Sequence, residues 1–144
     1  MSEARELVEH HNRIFNERAW AEASQVCSPD VVMVEPGAGT FHGMDAFVGH
    51  AQVFAQAFPD SRLEVHTLIE AGNRVVVEGA YAGTHTGPLA SPQGTVPPTG
   101  RTLALPYCEV FEVSAGRIAS KHVYYDQMTF AAQLGLLPEL APAS

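Results

Sequence analysis

Two pairs of β-rich segments fill the second half of the chain. The first, "RLEVHTLIEAGNRVVVEGAYAGTH", is joined at "AGN", and the second, "TLALPYCEVFEVSAGRIASKHVYYD", is joined at "SAG". Runs rich in Val, Ile, Tyr and Phe that are separated by such short turns favour antiparallel strands. Four long strands in succession restrict the chain to folds in which another segment covers one apolar face of a sheet.

The first half of the chain can supply that cover. Apolar residues at helical spacing predict helices over residues 3–18 and 44–57, with a second short helix carrying Trp20 and Ala23. A short buried strand, "VVMVEP", separates them, and "QMTFAAQLG" predicts a last short helix. This order predicts an α+β fold in which a cone-shaped, curved, mostly antiparallel sheet packs on the N-terminal helices and encloses a hydrophobic pocket. We expect a single domain over residues 1–144, with "PELAPAS" as a loose tail.

Charge and composition narrow the function classes. The 144 residues carry a net charge of −8, and Lys121 is the only lysine, which disfavours nucleic-acid binding. No apolar stretch approaches the roughly 20 residues of a membrane helix, and no signal peptide is visible, so the expected location is the cytoplasm. Cys27 and Cys108 have no motif spacing and are expected to be reduced.

The second hairpin predicts which side chains point inward. If "SAGR" closes on a two-residue turn, counting back along the strands places Glu109 opposite His122. Alternation puts His122, Tyr124 and Asp126 on one face of the last strand. The only lysine, Lys121, then faces outward, so the register predicts an inward carboxylate–imidazole pair.

The strand before the proline-rich passage is treated in the same way. Tyr81 and His85 share the face expected to point inward, and Glu78 lies on the other. Residues 87–100 are predicted to form a long rim loop that shapes the pocket mouth, with His85 at its edge.

Several stretches resemble one known family. "GTHTGPL" with "VPPTGR", then "CEVFEVSAGRIASKHVYYDQ" and "AAQLGL", are similar to the SnoaL-like polyketide cyclases of the nuclear-transport-factor-2-like superfamily. The likeness runs from the N-terminal helix to Leu136. The resemblance implies a cone-shaped α+β barrel with a cavity, a homodimer formed through the outer sheet face, and an aspartate acid/base near the end of the last strand. That aspartate falls on Asp126, while His122 stands where many relatives carry tryptophan.

Four residues are candidates for catalysis: Asp126, His122, Glu109 and His85. Asp126 is the acid/base that the resemblance implies, but an Asp between a strand and a helix is also a good N-cap. His122, supported by Glu109, can orient one tautomer and move a proton, or be purely structural. His85 is either catalytic or a residue of the turn.

Five aromatic residues are candidates for contact with the substrate, and the alternative for each is a place in the core: Trp20, Phe54, Tyr81, Tyr107 and Tyr124. Glu35, before Pro36, is expected to be exposed at a strand end. No recognised metal-ligand spacing and no phosphate-binding glycine loop occurs, so neither a metal nor a cofactor is predicted.

These features predict a small cofactor-free enzyme that acts on a hydrophobic, polyketide-like carbonyl compound. Asp126 would remove a proton beside a carbonyl and later protonate the new alkoxide in an aldol-type ring closure. Two alternatives remain. One is isomerisation, dehydration or epoxide hydrolysis in the same pocket, and the other is a non-catalytic protein that binds a small molecule.

Overall fold

The computed structural model of the chain describes residues 3–137, so the predicted tail at 138–144 lies outside the described residues. Within this range the helices are α1 Glu3–Glu17, a 3₁₀ helix Trp20–Gln25, α2 Met44–Ala57 and α3 Gln127–Gln133. The strands are β1 Cys27–Glu35, β2 Gly39–His42, β3 Arg62–Ala71, β4 Arg74–Thr84, β5 Leu89–Ser91, β6 Gly94–Val96, β7 Thr102–Ser114 and β8 Arg117–Tyr125. None of the helices in this range is long and apolar enough to span a bilayer.

Six strands form one mixed sheet in the order β2-β1-β8-β7-β4-β3. Only the β1–β8 pair is parallel; the other four pairs are antiparallel. The sheet is curved and not closed, with β2 and β3 at its edges, and the N-terminal helices pack on it. The predicted α+β class is confirmed. Inside the predicted rim loop, β5 and β6 form a separate small hairpin.

Local signals placed most elements correctly. The helix predicted over 44–57 is α2, and both predicted hairpins are present, with Ala71 opposite Arg74 and Ser114 opposite Arg117. Ala115 at the second turn has a φ of 52°, as a turn that matches the strand twist requires. As expected, Tyr81 on β4 and His85 just after it are buried, and Glu78 on β4 is exposed.

A β-bulge interrupts the second hairpin. Near the turn the predicted register holds, with Val113 opposite Ile118, but the next pair is Glu112 with Ser120. Ala119 is therefore an extra residue in β8. One extra residue moves every later side chain of the strand to the other face, because side chains alternate with a period of two.

Because of the bulge, three predictions about the side chains of the second hairpin are wrong. Lys121 was expected outside but lies inside, opposite the inward side chain of Phe111. His122 and Tyr124 were expected inside but lie on the outer face, where Tyr124 is 56% exposed. Glu109 is inward and buried, as predicted, but its partner across the strands is Val123, so the predicted Glu109–His122 pair is wrong.

Candidate functional site

The inner face of the sheet, α1, α2 and the 3₁₀ helix enclose a cavity of about 130 Å³. Its walls are mostly apolar and aromatic, but two groups of polar side chains interrupt them. We call Glu35, His50 and Tyr125 the outer cluster. The inner cluster consists of His11, Tyr107, Glu109 and Lys121.

Glu35 belongs to the cavity wall because of its position in β1. Val31, Met33 and Glu35 alternate along the strand, and all three are buried. The expectation that Glu35 is exposed is therefore wrong: its side chain is only 4% accessible. The backbone N–H of Gly37, just after the strand, donates to Oε2 at 3.1 Å and helps to fix the carboxylate.

Two side chains meet the Glu35 carboxylate. The Tyr125 hydroxyl donates a hydrogen bond to Oε1, and Nε2 of His50 lies 3.9 Å from Oε2. Burial lowers the pKa of His50; Glu35 opposes this shift and Lys121 adds to it. Because the imidazole pKa lies below its usual value, His50 is neutral at pH 7. Burial, and then the carboxylate, raise the pKa of Tyr125, which stays protonated.

The outer cluster stands where the cavity meets a larger groove. This groove has a volume of about 720 Å³ and is lined by α2, the turn after β1, the β5–β6 hairpin, α3 and Leu136 just after α3. Glu35, His50, Phe54 and Tyr125 line both spaces. A molecule too large for the cavity could therefore extend past Glu35 into the groove.

The inner cluster is built around the only lysine. Nζ of Lys121 lies 2.8 Å from Oε2 of Glu109, and the two side chains are 13% and 4% exposed. The same ammonium lies 3.4 Å from Nε2 of His11 and 5.4 and 5.9 Å from the ring centres of Phe47 and Phe111. The aromatic faces and the carboxylate both stabilise the buried positive charge.

His11 is neutral and has a defined tautomer. Burial, and then the charge of Lys121, lower its pKa to about 3, against a smaller opposing effect of Asn12. Nδ1 lies 2.9 Å from Oδ1 of Asn12 and donates to it, which leaves the Nε2 lone pair to accept from Lys121.

Two polar atoms of the inner cluster have no hydrogen-bond partner in residues 3–137: the Tyr107 hydroxyl and Oε1 of Glu109. Burial raises the pKa of Tyr107, and the negative charges of Glu109 and Glu64 raise it further. The hydroxyl is therefore protonated and able to donate.

Asp126 lies outside the cavity, at the N-terminus of α3. It accepts from the backbone N–H of Met128 at 2.9 Å and from the hydroxyl of Thr129 at 3.0 Å. These bonds, that of Thr129 first, lower the pKa of the exposed carboxyl. The N-cap alternative is confirmed, and the expected inward orientation is wrong. The bulge turns this end of β8 over, and the free N–H groups of the helix hold the side chain at the surface.

His85 is buried but does not line the cavity. Nδ1 accepts from the backbone N–H of Thr99 at 3.2 Å, and its own backbone N–H donates to Arg101 at 2.9 Å. The ring packs on Phe58 with 5.2 Å between centres. His85 thus fastens the two ends of the rim loop together, and burial lowers its pKa.

Four of the five aromatic residues proposed for substrate contact line the cavity, namely Trp20, Phe54, Tyr81 and Tyr107. Tyr124 does not, because the bulge directs it outward. Contact with a substrate remains a prediction for all four.

The family model for SnoaL-like polyketide cyclases matches residues 5–134, which is most of the chain. The chain belongs to this family. Membership supports a role of the polyketide-cyclase type. A comparison with curated proteins finds no relative of similar sequence.

Solved structures show the same fold. The chain is similar to TsrD from Streptomyces laurentii, with a TM-score of 0.81 and 21% identity over 94% of this chain and 96% of that one. It is similar to IdmH from Streptomyces antibioticus, with a TM-score of 0.75 and 24% identity over 92% and 98%. It also resembles TerC, co-crystallised with polyporic acid, with a TM-score of 0.73 and 20% identity over 93% and 99%.

Sequence reasoning missed the outer cluster of this SnoaL-like protein, although two signals were present. Glu35 continues the two-residue alternation of β1, and His50 continues the helical stripe of Phe47 and Phe54. No local signal indicates that Lys121 faces inward. Among residues 3–137, no three His, Cys, Asp or Glu side chains gather as metal ligands would.

Proposed function

We propose that this SnoaL-like protein is a cofactor-independent enzyme that closes a ring in a hydrophobic carbonyl compound by aldol chemistry, with Glu35 as the acid/base. The observation that carries the proposal is the position of the Glu35 carboxylate. It is buried in a mostly apolar wall, held by Tyr125 and Gly37, where the cavity meets the groove. Glu35 replaces Asp126 in this role because Asp126 lies at the surface.

The outer cluster offers the groups that such a reaction needs. Glu35 takes a proton from a carbon beside a carbonyl, and the resulting enolate carbon attacks a second carbonyl carbon of the same molecule. A carbon–carbon bond forms, the carbonyl electron pair moves to oxygen, and Glu35 returns the proton to the alkoxide. Neutral His50, 3.9 Å from the carboxylate, can donate a hydrogen bond to the oxygen on which charge develops.

The size of the cavity supports ring closure. Its volume of about 130 Å³ is close to that of an engineered cavity of ~150 Å³ that holds one benzene molecule. The folded segment that becomes a six-membered ring therefore fits inside, and the rest of a larger substrate lies in the groove. Holding the two reacting carbons together can supply much of the acceleration.

A small diketone tests the proposal. We expect the wild type to convert 2,6-heptanedione to 3-hydroxy-3-methylcyclohexanone, followed by NMR. Glu35→Gln should lower the rate by about 10²–10⁴-fold, the usual contribution of a positioned acid/base. Asp126→Asn, the matched carboxylate-to-amide control, should change the rate less than about twofold. Circular dichroism should show both variants folded.

Loss of activity in Asp126→Asn together with near-normal activity in Glu35→Gln would return the catalytic role to Asp126. Full activity of Glu35→Gln would refute the proposed centre. If the wild type binds the diketone but neither cyclises it nor exchanges its α-protons in D₂O, the aldol chemistry is refuted and the non-catalytic binder is favoured.

A further inference from the structure

The inner cluster contains two buried polar atoms that the proposed reaction does not use. Oε1 of Glu109 and the Tyr107 hydroxyl both belong to cavity-lining side chains, and neither has a partner among residues 3–137. As whole residues, Glu109 and Tyr107 are 3% and 6% exposed. Buried polar groups in folded proteins are nearly always hydrogen-bonded, so two unpaired ones on one cavity wall indicate that a bound molecule supplies the partner.

The free donors and acceptors define the group that would fit. Oε1 of Glu109 can only accept a hydrogen bond, so the ligand must donate. Lys121 has three N–H donors, of which Glu109 and His11 account for two. The third, together with the Tyr107 hydroxyl, requires a ligand atom that also accepts. A hydroxyl oxygen satisfies both demands, whereas a ketone oxygen satisfies only the second.

Charge excludes an acid as the preferred ligand. Lys121 and Glu109 already neutralise each other at 2.8 Å. A carboxylate bound beside them would bring an unbalanced negative charge into an apolar cavity, which is costly. The fitting group is therefore neutral.

The distance between the clusters indicates where this hydroxyl lies on the ligand. Met33 pairs with Lys121 across β1 and β8, and Glu35 follows two residues later on the same face. Two residues of strand span about 7 Å, which is roughly the width of a six-membered ring with its substituent. A ring with its reacting end at Glu35 thus places the opposite position at the inner cluster.

We propose that the inner cluster is a binding subsite for a neutral hydroxyl group on a ring-sized ligand. It follows that the substrate carries a hydroxyl about one ring away from the carbon that Glu35 deprotonates. The second statement rests on the proposed function, but the subsite itself does not, because hydroxyl binding needs no turnover.

Four one-ring probes test the subsite: phenol, toluene, anisole and benzoate, titrated by NMR. Phenol and toluene have nearly the same shape and differ in the hydroxyl. We expect the wild type to bind phenol at least about tenfold more tightly than toluene, which corresponds to the gain from one or two buried hydrogen bonds. Anisole, which cannot donate, and benzoate, which is charged, should bind no better than toluene.

The double variant Lys121→Met/Glu109→Gln removes both charges together and should bring phenol and toluene to within about threefold of each other. The matched control is Arg74→Met/Glu112→Gln, which changes the same charges at the exposed pair on the outer face and should keep the preference. If the double variant does not fold, Tyr107→Phe removes a single hydroxyl and should weaken phenol binding but not toluene binding.

Equal affinity of the wild type for phenol and toluene would overturn the subsite, as would a full preference in the folded double variant or in Tyr107→Phe. The same titration in Glu35→Gln separates this proposal from the proposed function. A wild type that prefers phenol but does not cyclise the diketone would keep the subsite and refute the proposed function. A wild type that cyclises the diketone without preferring phenol would refute the subsite and keep the proposed function.

Discussion

The ammonium of Lys121 lies 2.8 Å from the carboxylate of Glu109 inside the molecule, although simple alternation places the two residues on opposite faces of the sheet. The bulge at Ala119 makes this contact possible, because it reverses the faces of the side chains that follow it in β8 and so turns Lys121 inward. The only lysine of the chain is thereby a part of the cavity wall and not of the surface.

Breaking this pair should be costly. We expect Glu109→Gln or Lys121→Met alone to lower the free energy of unfolding by about 3–5 kcal/mol, because each leaves the other charge buried and unpaired. The double variant should be more stable than either single one. Urea denaturation measures all three, and losses that simply add would show that the charges do not interact.

The bulge itself can be tested by deleting its extra residue. Deletion of Ala119 should move Lys121 to the outer face and leave the buried Glu109 carboxylate without its partner, or it should prevent folding altogether. Ala119→Gly keeps the residue count and should cost only about 1 kcal/mol. Urea denaturation compares the two, and a deletion variant as stable as Ala119→Gly would contradict the role given to the bulge.

Asp126 should matter for stability and not for turnover. Asp126→Ala removes the acceptor of the Met128 and Thr129 bonds and should lower the melting temperature by a few degrees, whereas Asp126→Asn keeps a capping side chain and should lower it less. Thermal unfolding gives both values. A variant that melts like the wild type but no longer cyclises the diketone would argue against this assignment.

Buried His11 should make the protein less stable in acid. Its folded-state pKa of about 3 lies below its usual 6.5, so the unfolded chain binds the proton first. The contribution of His11 to the free energy of unfolding is fully present above pH 6.5 and is lost as the pH drops toward 3. Between pH 7.5 and 5 this loss amounts to about 2 kcal/mol.

The matched variant for this prediction is His11→Gln, which keeps a polar side chain that does not titrate. His50 and His85 titrate in the same direction, so the quantity to compare is the change with pH in the wild type minus that in the variant. Equal changes in the two proteins would show that His11 is not the cause.

The outer face of the sheet is the expected dimer surface. Ile69 and Tyr124 lie on this face, and each is 56% exposed. We propose that a second copy covers them, so Tyr124→Asp or Ile69→Asp should shift a dimer to a monomer in light scattering. Met128→Asp, at an apolar position on α3 that is 68% exposed, should leave the assembly unchanged. A wild-type monomer at micromolar concentration would contradict the proposal.

The sequence by itself determined the elements whose signals are local. The stripe of α2, the two hairpin turns and the alternation of β4 and β7 each depend on neighbours a few residues away. For the same reason the inward positions of Tyr107 and Glu109 were predictable. So was the N-cap alternative for Asp126, since it depends on the strand-to-helix junction alone.

Only the tertiary structure decided the composition of the candidate site. Whether β8 contains a bulge depends on its pairing with β1 and β7, and β1 is some ninety residues earlier in the chain. The meeting of Glu35, His50 and Tyr125 likewise needs a strand, a helix and a second strand to be packed together. Periodicity gives the face of a side chain relative to its own segment, but a single bulge residue reverses that face. Only the energy of long-range packing and charge pairing selects the bulge.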